Sequence, residues 1–164
     1  VPILSETAGR AAGVARGAYV LVDEDRSPPD LVLIGTGSEV HLCVDAAASL
    51  TEGGLSVRVV SMPSWDIFDH QDGDYGSSVL PSGVPSLSVE AGASLGWDRY
   101  ADDSVSIDRF GASAPGEVNM EKFGFTAENV AARARALLAE AGDGRPRGPR
   151  KHRGASQAKR EDLV

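Results

Sequence analysis

The chain has 164 residues, 24 acidic against 16 basic side chains, a formal net charge of −8, a single cysteine and three histidines. That length suffices for one domain with a real core; no apolar run approaches the roughly 18 residues of a membrane span, and one cysteine excludes an internal disulfide or a cysteine metal cluster. Charge is uneven: from Asp143 onward seven Lys or Arg against three Asp or Glu leave +4, so residues 1–142 carry −12, a body that repels nucleic acid and anionic membrane.

Residues 1–16 are small and aperiodic, with Pro2 near the start, and read as a linker from an upstream domain. No basic stretch followed by an apolar one opens the sequence, so no signal peptide is read, and a reducing cytoplasm is the expected compartment. GAYVLV (17–22) is rich in strand formers, and DEDRSPPD then breaks regular structure through Pro28 and Pro29. LVLIG (31–35) is apolar on both faces, the mark of a buried strand. Ser38 follows as the expected N-cap of a helix whose stripe is Val40, Cys43, Val44, Ala47 and Leu50, ended at Gly53-Gly54.

LSVRVVSM (55–62) predicts the next strand, closed by Pro63, and SWDIFDHQD a short helix in acidic surroundings. VPSLSVEAG (84–92) and SVSIDRF (104–110) predict two further strands, with a helix start at GWDRY between them. Residues 117–140 read as helical, with Thr126 as an N-cap, a stripe of Val130, Ala131, Ala134, Leu137 and Leu138, and Gly142 as the stop. The segment after it, 143–164, is basic, nearly free of apolar residues, and reads as a disordered tail. Strands alternating with helices predict an α/β domain over 17–142 with a mostly parallel sheet and helices on both faces.

The candidate chemistry starts at Gly35-Thr36-Gly37-Ser38, a turn between a buried strand and a helix, where backbone N–H groups attract anions. It is only half of a G-x-G-x-x-G, because Val40 takes the third glycine position, and Glu39 sets a negative charge where an anion would sit. A structural turn with weak anion affinity is the favoured reading. His41, His70 and His152 have no helical metal spacing. Asp69, His70, Asp72 and Asp74 read as a solvated acidic loop rather than a metal site. Cys43 lies on an apolar stripe, which makes it core rather than nucleophile. Glu90, at a strand end, is expected to bond to backbone or to Arg99 or Arg109. Trp65, Phe68, Trp97 and Tyr100 are expected in a core or subunit interface. These residues assemble no active site.

An ordered set of segments carries a resemblance: GAYVL (17–21), LIGTGSEV (33–40), VRVVSMPS (57–64), VLP (79–81), SVEAG (88–92) with Gly96-Trp97, DRFGASAP (108–115) and FGFTAENV (123–130). Over about residues 12–140 the chain resembles the C-terminal domain of transketolase. The resemblance implies a three-layer α/β/α sandwich on a five-stranded, mostly parallel mixed sheet, with the first strand antiparallel. It also implies membership of an enzyme that moves two-carbon ketol units between sugar phosphates in the pentose phosphate pathway. Thiamine diphosphate and a divalent metal, Mg or Ca, serve that enzyme and lie between its other two domains, across a homodimer interface. The motifs for those ligands have no counterpart here. The implied role is therefore dimer support, with no catalytic, cofactor-binding or metal-binding residue in this chain and thiamine-diphosphate-binding domains as partners. Val1-Pro2-Ile3-Leu4 resembles the linker after the middle domain. Tyr100–Val105 is a few residues shorter than the family pattern, and the basic tail lies outside it. A stand-alone regulatory or small-ligand module, with Gly35–Glu39 and Ser61–Ser64 forming its pocket, is the alternative.

Overall fold

The computed structural model describes residues 11–23 and 26–142; most of the expected linker and the whole basic tail lie outside them. Five strands, β1 (Tyr19–Val22), β2 (Leu31–Gly35), β3 (Val57–Ser61), β4 (Ser86–Val89) and β5 (Asp103–Val105), form one sheet in the order β1-β3-β2-β4-β5. β1 runs antiparallel to β3, and every other pairing is parallel. Among the described residues five α-helices accompany them: α1 (Val40–Glu52), α2 (Trp65–Asp69), α3 (Gly73–Val79), α4 (Gly116–Lys122) and α5 (Ala127–Gly142).

All five residues of β2 and of β3 are buried, because both strands are central and covered on both faces. Alternation along the strands sorts their side chains into two cores. Leu31, Leu33, Val57, Val59, Leu87 and Val89 join Cys43, Ala46 and Leu50 of α1 and Val130, Ala131 and Ala134 of α5. Val32, Ile34 and Val60 join Phe68, Val79, Trp97 and Tyr100 on the opposite side. Helix–sheet–helix layering follows from that sorting, so the expected three-layer mixed sheet is what the sequence folds into.

The second layer contains a buried cation. Arg58 on β3 is 7% exposed, and it donates through Nε and Nη2 to the two Asp23 carboxylate oxygens at 2.9 and 2.8 Å. Its Nη1 donates to the Ser78 carbonyl at 2.7 Å and the Val79 carbonyl at 3.3 Å. Paired and bonded at all three nitrogens, this charge is tolerated where a lone one would not be.

Local chemistry sets the element ends. Ser64 and Asp72 accept from the Ile67 and Tyr75 amides and cap α2 and α3. Thr126 accepts from the Asn129 amide and caps α5, while the Asn129 side chain donates to the Gly124 carbonyl. Three local expectations differ from what is found. Ser38 does not cap α1: a 3₁₀ turn, Gly37–Glu39, precedes the helix without a side-chain cap. The last strand stops at Val105 rather than running on to 110. Residues 11–16, within the expected linker, form a 3₁₀ helix from which Arg16 lies 3.5 Å above the Tyr75 ring.

Candidate functional site

In a parallel sheet the loops after the strands share one edge, and Gly35–Glu39 lies there after central strand β2. Gly35 is required by packing: a Cβ on it would stand 2.9 Å from Val40 Cα and 3.0 Å from Cys43 Sγ, so its absence lets α1 close on β2. Gly37 has a φ of +55° with open space around it. Glu39 is 6% exposed, and its Oε1 accepts from the Ser38 hydroxyl at 2.6 Å. His41 donates from Nδ1 to the Ser38 carbonyl, which fixes the imidazole against the turn.

A cleft of about 580 Å³ opens beside this turn. The turn supplies Ser38 and Glu39, and α1 supplies His41 and Leu42; opposite stand Glu117, Met120 and Glu121 of α4, followed by Phe125 and Thr126. The α4–α5 wall went unnoticed in the sequence, although Glu117 and Glu121 at i and i+4 flanking Met120 are a legible signal of one helix face. Ser61–Ser64, expected to share a pocket with Gly35–Glu39, leaves the same sheet edge beside Gly35 but does not line this cleft. Ser64 instead donates its amide to the Gly17 carbonyl, and Met62 donates its own to the Gly35 carbonyl.

The other candidates occupy structural positions. Cys43 is fully buried, and burial first, then the Glu39 charge, pushes its thiol well above the ordinary cysteine range. An inert core thiol is the consequence. Glu90 accepts from the Trp97 indole N–H and pairs with neither Arg99 nor Arg109. Trp97 packs edge-on against Trp65 with ring centroids 5.0 Å apart, and Tyr100 and Phe68 complete that aromatic layer. Tyr100 donates its hydroxyl to Asp69, which also holds Arg99. Asp72 and Asp74 begin α3, so the acidic stretch is partly helical. His70 is exposed and donates to the Asp66 carbonyl at 2.6 Å, a bond that raises its pKa above the ordinary histidine value. Among the described residues no three His, Cys, Asp or Glu converge as metal ligands, and no helix is long and apolar enough to cross a membrane.

At one edge, beyond β4 and β5, lies the segment DRFGASAP. The Ile107 amide donates to the Gly92 carbonyl, and the Ser94 amide donates to Asp108 at 2.8 Å. Arg109 lies 4.6 Å over the Phe123 ring, and Asn119 donates to the Ala112 and Ala114 carbonyls. From this bonded framework Phe110 projects with its whole side chain in solvent, 100% exposed, while Leu95 in the facing segment is 87% exposed.

Residues 17–126 match the family described as "Transketolase-like TK C-terminal domain". The chain is 57% identical over 129 residues to a transketolase of Nostoc sp., covering 76% of this chain and 19% of that one. It is similar in structure to transketolase from Leishmania mexicana, with a TM-score of 0.77 and 47% identity, over 84% of this chain and 20% of that chain. It shares the fold of a split-gene transketolase solved as an inactive β4 tetramer, with a TM-score of 0.57 and 24% identity, over 76% of this chain and 43% of that chain. The chain thus spans about one fifth of the length of the curated relatives it matches.

Proposed function

Since the chain belongs to the family of transketolase C-terminal domains, we propose that it is the non-catalytic C-terminal part of a thiamine-diphosphate-dependent ketol transferase of the pentose phosphate pathway. In this reading it is either a piece of one long polypeptide or a separate subunit of a split enzyme. Its work is to support the domains that hold the cofactor and its divalent metal, and to stabilise their homodimer in the cytoplasm. The domain proper is 17–142, flanked by a linker and a basic tail.

One observation carries the reading: a bonded loop holds Phe110 and Leu95 almost wholly in water. Large apolar side chains presented from ordered segments mark a surface built to meet another protein. Thiamine diphosphate and its metal do not fit the donor set described here. The Gly35–Ser38 turn carries the buried Glu39 carboxylate beside it, which repels a diphosphate, so the turn serves structure and holds an anion only weakly.

The test is a ketol-transfer assay on the purified chain, supplied with ketose and aldose phosphates, thiamine diphosphate and Mg²⁺. No turnover is expected from the chain alone, and measured turnover overturns the proposal. Antibody detection of the native protein then separates the two forms. A species about four times as long as this chain, as its relatives are, means one polypeptide. A species of this size that co-purifies with a thiamine-diphosphate-binding chain means a split enzyme.

A further inference from the structure

Among the described residues five large apolar side chains are exposed: Val14, Ile67, Leu95, Phe110 and Val118. They are not scattered. Tyr19, Ser61, Gly35, Val89 and Val105 pair in one row across the sheet, at the carboxyl ends of its parallel strands and the start of antiparallel β1. The 3₁₀ helix that carries Val14 leads into this row at β1. The segments that carry Ile67, Leu95 and Phe110 leave it from β3, β4 and β5, and Val118 follows on α4. These segments hold one another. The Ser64 amide, at the start of α2, donates to the Gly17 carbonyl, and Arg16 donates from Nε to the Gln71 side chain at 3.2 Å. A Cβ on Gly96 would stand 2.9 Å from the Trp65 ring, so the Leu95 loop rests on α2. The Ser94 amide ties that loop to Asp108 in the Phe110 segment.

Apolar side chains gathered along one edge mark a contact surface, and charge and chain entry say what meets it. The arginines of these segments are engaged within the domain: Arg16 with Asp72, Arg99 with Asp69, and Arg109 over the Phe123 ring. Asp66, Asp98 and Glu117 stand exposed on the same segments, a rim that attracts lysine and arginine. A second copy of a body carrying −12 over residues 1–142 would instead bring carboxylates against carboxylates. The chain enters the domain through residues 11–16, at this same edge, so the preceding polypeptide is delivered there. We propose that the carboxyl edge docks on the domain immediately upstream of residue 11, on a surface with apolar sockets and a basic rim, and that residues 11–16 belong to the contact. This docking rests on the family role proposed above, and it extends the contact from Phe110 and Leu95 across the whole sheet to β1 and α2.

The experiment is hydroxyl-radical footprinting of the native enzyme beside the isolated 164-residue chain. Val14, Ile67, Leu95 and Phe110 are expected to be oxidised in the chain alone and about tenfold more slowly in the native enzyme. Benzoylphenylalanine placed at position 95, where Leu95 is already in solvent, is expected to photo-cross-link the upstream domain. Asp66→Lys combined with Glu117→Lys is expected to raise oxidation of Ile67 and Val118 in the native enzyme about threefold. Equal oxidation of Val14 and Ile67 in both samples, a cross-link to another copy of this domain, or protection indifferent to the charge reversal each overturn the docking. A native protein with no thiamine-diphosphate-binding domain beside it overturns the family role and the docking together. Those domains present with the edge still oxidised overturn the docking alone.

Discussion

At Gly17 the backbone adopts a φ of +82°, and a Cβ there would stand 2.3 Å from the Phe68 amide nitrogen and 2.5 Å from the Ser64 carbonyl oxygen. The Gly17 carbonyl meanwhile accepts from the Ser64 amide at 3.0 Å. The entry to β1 therefore packs backbone to backbone on the start of α2, an approach that only glycine permits. Gly17→Ala combines the left-handed penalty of about 1–2 kcal/mol with a collision against rigid main chain. We expect a total loss of about 3 kcal/mol or more, read as a lower midpoint in urea denaturation. A loss below about 1 kcal/mol would mean that α2 moves aside freely. Gly37, with open space around it, has only its φ to lose and is the matched control. In the sequence both glycines look alike. What distinguishes them is the neighbour brought up by the fold, which is why Gly35 and Gly37 together suggested a phosphate turn when Gly35 serves helix packing.

Elements were legible where one strong signal decided them. β2 and β3 follow from unbroken apolar runs and α5 from its stripe and its Thr126 cap, and all three lie where their patterns place them. α3 was illegible because GDYGSSV contains two glycines and no stripe; it is held by the Asp72 cap and by the Tyr75 hydroxyl, which donates to the Ala18 carbonyl at 2.7 Å. The Asp72 cap is local but stands alone, and the Ala18 partner is 57 residues away. The short connection after Trp97 is likewise closed by distant bonds: Ser86 donates its amide to the Asp102 carboxylate, and Asp102 donates its own amide to the Ser86 carbonyl. The strand expected over 104–110 ends early because Asp108 turns back. Its carboxylate accepts from the Ser94 amide and from the Ser106 hydroxyl, and these bonds, the Ser94 amide first, lower its pKa below the ordinary aspartate value. A depressed folded pKa means that the ionised form is favoured by folding. The loop is therefore held in full above the ordinary aspartate value and loosens as pH falls through the lowered one. A carbon-detected NMR titration is expected to place the Asp108 midpoint below that of exposed aspartates, with the Ser94 amide shift following it. Asp108→Asn should abolish that coupled acid transition, and a Ser94 amide that titrates independently of Asp108 would refute the coupling.

Across the molecule, the two apolar cores are complete within one domain, so exposed apolar surface needs a different account from buried surface. Strands β2, β3 and β4 are buried throughout, yet Phe110 and Leu95 stand in water on segments joined by the Ser94–Asp108 and Ile107–Gly92 bonds. Folding alone does not reward that arrangement, since the same bonds could carry polar side chains at both positions. Removing Phe110 from a site already fully in solvent should leave the thermal midpoint of the chain nearly unchanged, within about 0.5 kcal/mol of stability. If the loop meets the thiamine-diphosphate-binding domains, however, Phe110→Asp places a charge in the centre of that contact and should weaken association about tenfold or more. The two measurements belong together: calorimetry of the chain, and gel filtration of the native assembly carrying the substitution. Unchanged stability with a dissociated assembly assigns the loop to the interface. Lost stability would place Phe110 within this domain's own packing, and an intact assembly would move the contact elsewhere on the surface.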